Sequence, residues 1–201
     1  LGLVNDLDTT SSENWRHYNG IDFTMSARGN NGLSVAGGVS IGRSISKTCE
    51  VGDPNQLRFC DQTQYDIPLA KTVKLTWAYP LPWDIRFSGV FQSADGFNTS
   101  TPPAPLLAQS PDNHLRLYSY NVSRTQLPSL VQSNVSVFLD EPGSSIMPRV
   151  TQLDLAFSKV VSVGRLKFTP QVDVFNATNN NAVLTLRTVY GPTLGNPSTI
   201  L

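Results

Sequence analysis

The two cysteines are the residues whose type and spacing most clearly specify a chemistry. Cys49 and Cys60 enclose ten residues of a polar, loop-like stretch. Such a pair can form a disulfide, bind a metal or act as a redox couple. The spacing is not that of a zinc half-site, and neither His17 nor His114 lies nearby. We therefore predict a Cys49–Cys60 disulfide that pins a loop, which favours an oxidising compartment.

The remaining reactive residues do not form a catalytic pattern. The only histidines are His17, just before a predicted strand, and His114, in a long polar stretch, and no Gly-x-Ser-x-Gly motif accompanies them. The glycine-rich run 37–42 departs from Gly-x-Gly-x-x-Gly and no helix follows it. We predict surface histidines, a strand at 37–42, and no enzyme activity.

Ionic side chains suggest two further sites, and we favour neither. Charges alternate with apolar residues on the predicted strands: Asp22, Asp154 and Asp173, with Arg28, Lys74, Arg86 and Lys167. These residues could form an acid/base pair or a path for a solute. Because no two of the carboxylates are close together on one strand, we expect instead a row of hydrated charges that supports the sheet. Asp53, Asp61 and Asp66 lack the spacing of an EF-hand calcium loop. No metal or cofactor is predicted.

Composition points to strands and loops. The chain has 201 residues, a formal net charge of zero, and 62 Ser, Thr, Asn and Gln residues against 30 charged ones. Only three Glu and five Lys are present, although both residues favour helices. The charge balance argues against nucleic-acid binding, which needs a basic face.

Period-two alternation is the main structural signal in the chain. Six segments have one apolar and one polar face: 21–28, 33–42, 72–79, 85–92, 152–158 and 165–174. The links 29–32, 80–84 and 160–164 are short, whereas 44–68, 93–150 and the stretch after 177 are long. Alternating short turns and long loops are typical of an outer-membrane barrel, whose tilted strands need about 9–11 residues to span the membrane. Two further runs, 115–122 and 134–139, fit either a hairpin inside a loop or another spanning pair.

Several motifs, in this order, are similar to those of a known family. They are Tyr18-Asn19-Gly20-Ile21-Asp22-Phe23-Thr24, Ala27-Arg28, Asn31-Gly32-Leu33, Val39-Ser40-Ile41-Gly42-Arg43, Leu57-Arg58-Phe59-Cys60, Phe91-Gln92-Ser93, Glu141-Pro142-Gly143, Gln152-Leu153-Asp154-Leu155, Asp173-Val174-Phe175-Asn176-Ala177 and Asn181-Ala182-Val183-Leu184-Thr185. The chain resembles the barrel of TonB-dependent outer-membrane receptors, in particular those with a carboxypeptidase-regulatory-like N-terminal domain. The likeness runs from about residue 15 to the end.

The resemblance implies an all-β fold: an antiparallel meander of transmembrane hairpins forming a partial outer-membrane β-barrel with long external loops. Residues 1–201 would be a fragment of one barrel domain, because Leu1 is not Met and the plug, the N-terminal domains and the final strand are missing. The implied function is TonB-energised uptake of a bulky solute across the bacterial outer membrane. Partners would be outer-membrane lipid, the rest of the barrel and plug, TonB through the missing N-terminal segment, and a solute that the sequence does not identify.

The alternative is a secreted or surface β-sandwich, either a carbohydrate-binding module or an adhesin. Phe97, Tyr118 and Tyr120 would then form a sugar platform. In a barrel the apolar faces of all six strands lie on one side of a single sheet, whereas in a sandwich two sheets bury them.

The barrel interpretation makes testable statements about individual positions. Outward-facing residues should be Phe23, Leu75, Phe87, Leu155 and Val172, and inward-facing ones Thr24, Lys74, Arg86, Asp154 and Gln171. Residues 30–32 should form a three-residue turn with Gly32 left-handed, because a two-residue loop would mix the two faces. Trp83 and Tyr79 should lie at the periplasmic interface. The sheet should be left with one or two open edges.

Overall fold

The computed structural model describes residues 11–50, 57–96, 118–144 and 147–201, and within these ranges the protein is an all-β chain of antiparallel sheets. A short 3-10 helix covers Gln62–Gln64 in the same ranges. The strands are β1 Trp15–Arg28, β2 Ser34–Lys47, β3 Ala70–Leu81, β4 Ile85–Gly96, β5 Ser119–Ser123, β6 Asn134–Phe138, β7 Met147–Lys159, β8 Val161–Val163, β9 Leu166–Phe168, β10 Gln171–Val174, β11 Val183–Leu186 and β12 Pro197–Ile200. No helix in the described ranges combines the length and the hydropathy that a membrane crossing requires.

One six-stranded sheet organises the molecule. Its order is β1-β2-β3-β4-β7-β10, and every neighbouring pair is antiparallel. Because β4 pairs directly with β7, the two runs between them form a separate hairpin, β5–β6, rather than a spanning pair. β1 and β10 are the outer strands of this sheet, so in the described part of the chain the sheet is open at both edges.

Strand register separates the side chains into two faces, as the period-two pattern predicts. Phe23 lies opposite Val39, which lies opposite Val73, and Leu75 lies opposite Phe91. Following these rows across the sheet places Phe23, Leu75, Phe87, Leu155 and Val172 on one side, which we call the apolar face. Thr24, Lys74, Arg86, Asp154 and Gln171 share the other, the polar face. The predicted division of these ten residues between two faces is confirmed.

The first turn has the predicted geometry. Arg28 pairs with Ser34 and Ala27 with Val35, so the loop has an odd number of residues and the faces stay matched. The Gly32 amide donates to the Gly29 carbonyl at 3.0 Å, and the Gly29 amide donates to Leu33 at 2.7 Å. Gly32 has a φ of 82°, the left-handed conformation expected where a bulge follows a tight turn.

The other short links lie at the same end of the sheet, but the link predicted at 160–164 differs from the prediction. Leu81 pairs with Ile85 across a three-residue turn. The link predicted at 160–164 instead continues as strand to a two-residue turn at Gly164 and Arg165, because Val163 pairs with Leu166. The strand predicted over 165–174 is divided into β9 and β10, since Pro170 has no N–H to donate to the ladder.

Burial is concentrated at the opposite end, where the long loops emerge. We call the end near residues 47, 70, 96 and 147 the long-loop end, and the other the short-turn end. Three of the four buried apolar residues in the described ranges, Phe59, Ile67 and Met147, lie at the long-loop end, and the fourth, Ala182, directly precedes β11. Among the described residues, no element covers the apolar face of the sheet, and Ile21 and Phe23 remain 77% and 63% exposed. The packed core therefore lies among the loops and not on the sheet.

Candidate functional site

The disulfide predicted from the cysteine spacing is formed. The Cα atoms of Cys49 and Cys60 are 4.9 Å apart and the two sulfurs are bonded. The Thr48 amide donates to the Cys60 carbonyl at 2.8 Å, and Lys47 forms an isolated antiparallel bridge with Asp61. The chain leaving Cys60 therefore runs back along the end of β2, which holds the loop against the long-loop end of the sheet.

The segment after Cys60 is fixed by a buried polar contact. The Gln62 side-chain oxygen accepts from the Ser46 amide at 2.9 Å, and both residues are almost fully buried. Asp61 begins the 3-10 helix by accepting from the Thr63 hydroxyl at 2.6 Å and from the Thr63 amide at 3.0 Å. These two hydrogen bonds, together with Lys47, lower the pKa of the exposed Asp61 carboxyl below its ordinary value, although desolvation opposes the shift. The arrangement is a local cap, not an acid/base site.

Arg58 joins the disulfide loop to the β5–β6 hairpin, next to an aromatic pair within the loop. Phe59 is buried and meets Tyr65 edge to face, with ring centroids 5.9 Å apart. The Arg58 guanidinium lies 4.7 Å from the centre of the Phe59 ring and donates to the Phe138 carbonyl at 3.3 Å. Two loops far apart in the sequence thus form one structure.

The hairpin also contacts the C-terminal segment through main-chain hydrogen bonds. The Ser119 amide donates to Thr188 at 2.9 Å, and the Tyr190 amide donates to Ser119 at 2.7 Å. This contact brings the rings of Tyr120 and Tyr190 into an edge-to-face pair, with centroids 5.4 Å apart. The β-sandwich alternative assigns Tyr118, Tyr120 and Phe97 to a sugar platform; Phe97 lies outside the described residues, and sequence reasoning did not identify Tyr190. Only the long-range pairing of Ser119 with residues 188–190 reveals it.

A charged fork marks the long-loop end of the apolar face. Arg149 on β7 forms an ion pair with Asp95 on β4 at 3.0 Å. It also donates twice to the Lys71 carbonyl, and Asp95 accepts from the Lys71 amide. One guanidinium and one carboxylate therefore tie three adjacent strands together where the apolar rows stop.

The predicted charge ladder lies on the polar face, and its carboxylates accept local hydrogen bonds. Asp22 accepts from the Ser40 hydroxyl, and Asp173 accepts from Gln171 at 2.7 Å. Asp154 accepts from the Gln152 amide and, at 2.8 Å, from the backbone of Asn176. Arg28, Lys74, Arg86 and Lys167 make no ion pair within the described ranges. Nothing brings two of these carboxylates together as an acid/base pair.

The remaining predicted positions are not brought into a shared site. His17 lies beside Trp15 on the outer strand of the sheet, with tilted rings whose centroids are 4.6 Å apart. His114 and Asp53 lie outside the described residues. Among those that the structure describes, no group of His, Cys, Asp and Glu has the arrangement of a metal site. The loops that these contacts join form one surface at the long-loop end of the sheet.

Comparisons with known proteins identify no relative: no family model, no curated protein and no solved structure matches this chain.

Proposed function

We propose that the chain is a wall segment of a TonB-dependent outer-membrane receptor that takes up a bulky solute. The observation that carries the proposal is the uncovered apolar face of the six-stranded sheet. A water-soluble protein rarely exposes a contiguous apolar patch larger than a few hundred Å². A barrel wall in a membrane is a sheet of this kind, with an apolar face toward lipid and a polar face toward the barrel interior.

The height of the apolar face supports this proposal. On β3 its apolar side chains run from Val73 through Leu75, Trp77 and Tyr79 to Leu81. Nine residues at about 3.3 Å each extend ~30 Å along the strand. A tilt of about 40° reduces that length to ~23 Å, close to the ~25 Å apolar band of outer-membrane barrels.

Polar groups border this band at both ends. The Lys71–Asp95–Arg149 fork lies beyond Val73 at the long-loop end, and Lys159 pairs with Ile85 at the short-turn end. Charges on the lipid side of a barrel cost least near the membrane interfaces. Their positions are those expected at two interfaces.

Aromatic residues gather in the rows next to the short turns. On the apolar face Phe87 stacks on Phe157, with centroids 4.8 Å apart, and meets Trp77 edge to face. Trp83, at the tip of the adjacent turn, is 79% exposed. Such aromatic belts are characteristic of membrane–water interfaces, so in this proposal the short turns lie at the periplasmic side, with Trp83 and Tyr79 as anchors.

The long-loop end then faces outward. Its disulfide suits an extracytoplasmic location, and its loops pack into a continuous surface through Arg58 and Ser119. By the family resemblance, these loops capture the solute, and a plug moved by TonB lets it pass. The plug and the TonB-contacting segment would belong to other parts of the full-length protein.

A β-sandwich would instead bury the apolar face against a second sheet. The three other sheets in the described residues are two-stranded, and two of them, β5–β6 and β11–β12, belong to the long loops. We therefore do not propose the sandwich.

The test is to express the full-length gene in a Gram-negative host and separate the outer membrane. A barrel wall predicts recovery in that fraction and heat-modifiable migration, because a folded barrel migrates differently from the boiled chain. Recovery as a soluble, cooperatively melting protein would overturn the proposal.

A further inference from the structure

We propose that Tyr120 and Tyr190 form a binding surface for a neutral carbohydrate at the long-loop end. The inference deepens the proposed function, because it names the class of solute that the outer loops would capture. It rests on the convergence of two segments that lie some 70 residues apart in the sequence.

Main-chain pairing sets the positions of the two rings. Ser119 exchanges hydrogen bonds with Thr188 and Tyr190, at 2.9 and 2.7 Å, and forms a parallel bridge with Val189. The C-terminal segment is itself closed by hydrogen bonds between Arg187 and residues 195 and 196. The main chain around Tyr190 is thus held in place, so binding would cost little ordering of this segment.

The two tyrosine rings are more exposed than an aromatic pair in a protein core would be. Tyr190 is 61% exposed, and Tyr120 is half-buried. The rings meet at 62°, so neither ring face is stacked on the other. The Tyr120 hydroxyl accepts from the Gln126 amide at 2.9 Å, which fixes the ring from its polar end. A flat apolar ring face remains available to a ligand.

The surrounding chemistry favours a neutral, hydroxyl-bearing ligand. Residues 183–201 contain one charged residue, Arg187, and otherwise offer hydroxyls and amides such as Thr188, Thr193 and Asn196. On the hairpin side, Arg124 is engaged with the carbonyls of Leu130 and Val131, and Asp140 accepts from the Tyr118 amide. Sugar rings present C–H groups that pack on aromatic faces and hydroxyls that pair with amides and hydroxyls. An anionic ligand would find little here to pair with.

The experiment applies the full-length protein in detergent to a printed array of neutral and anionic oligosaccharides. We expect saturable binding to at least one neutral glycan, which is then titrated in solution. Tyr190→Ala and Tyr120→Ala should weaken that binding about tenfold, since each removes a stacking ring. Tyr190→Phe, which keeps the ring, should stay within about threefold of the parent protein.

Tyr18→Ala is the matched control. Tyr18 is 63% exposed, about as much as Tyr190, but lies on β1 away from the hairpin, so its removal should leave glycan affinity unchanged. Heat-modifiable migration of each variant reports whether the barrel still folds.

Two results would overturn the inference: no saturable glycan binding by the parent protein, or equal losses for Tyr190→Ala and Tyr18→Ala in folded variants. Either result with normal outer-membrane assembly leaves the proposed function standing. Glycan binding by a protein that is not recovered in the outer membrane would instead support this inference and contradict the proposed function.

Discussion

Individual residues set the geometry of the short-turn end. Gly32 and Gly164 both have a positive φ, of 82° and 60°, which side-chain-bearing residues rarely adopt. Their surroundings differ: a Cβ on Gly32 would lie 2.6 Å from Pro80 Cγ, whereas nothing lies within 4 Å of one on Gly164. Comparing substitutions at these two glycines therefore distinguishes the cost of backbone strain from the cost of steric crowding.

Alanine at each glycine should reveal that difference. Gly164→Ala should lower the free energy of unfolding by about 1–2 kcal/mol, the cost of a left-handed alanine. Gly32→Ala should lower it further, because Pro80 must also move. Urea unfolding in detergent, followed by tryptophan fluorescence, measures both. Equal losses would show that the Pro80 contact does not matter.

The cap at Asp61 makes a prediction about pH. Its pKa is lowered chiefly by the Thr63 hydroxyl, so the folded-state value lies below the unfolded one of about 3.9. The stabilisation is therefore present above the unfolded value and is lost as pH falls through the folded-state pKa. Thr63→Val should raise the pKa of Asp61, while Thr63→Ser should leave it low. Carboxyl NMR titration distinguishes the two, and an unchanged pKa in Thr63→Val would contradict this cause.

Among the elements, the disulfide loop depends on contacts that extend beyond its bond. Gln62, Phe59 and Arg58 pack it against β2 and the β5–β6 hairpin. The bond itself limits the freedom of the unfolded loop, a contribution of roughly 2–3 kcal/mol for a loop of this size. Loop order should therefore respond to reduction more than sheet order does.

Reduction should expose this loop to protease. After mild reduction, or with both Cys49 and Cys60 replaced by Ser, trypsin should cleave faster after the exposed Arg58. Arg165, in the exposed two-residue turn at the other end of the sheet, is the internal control, and its cleavage should not change. Mass spectrometry of timed digests measures both rates. Equal rates at Arg58 before and after reduction would contradict the role of the bond.

The elements also show what could be predicted from the sequence. Period-two alternation predicts the sheet, its faces and the Gly32 turn, because register follows from parity once one face is apolar. It cannot decide whether 115–139 spans or folds back, since a hairpin inside the loop and a spanning pair both preserve the directions of the strands on either side. Pro170 signals the break between β9 and β10, but alternation runs across it. The position of Tyr190 beside the β5–β6 hairpin depends on long-range main-chain pairing with Ser119, which no local sequence pattern indicates.

At the scale of the whole molecule, stability and location depend on which solvent meets each face. Phe91 and Gln92 are neighbours on β4 that point to opposite faces. If lipid covers the apolar face, Phe91→Lys places a charge in hydrocarbon and should cost about 2–4 kcal/mol, whereas Gln92→Lys meets water and should cost little. The yield of heat-modifiable protein in the outer membrane measures both variants. Equal yields would argue against a lipid-covered face.

The most direct test of the central claim is the environment of successive side chains on β3. Cys49 and Cys60 are bridged and do not compete for a thiol label, so single cysteines at positions 72–79 of the full-length protein can each carry a spin label in lipid bilayers. We expect a period of two: labels at 73, 75 and 77 should be relaxed by oxygen, which dissolves in lipid, and those at 72, 74 and 76 by a water-soluble nickel complex. The same accessibility at odd and even positions, or nickel access to both faces, would contradict it.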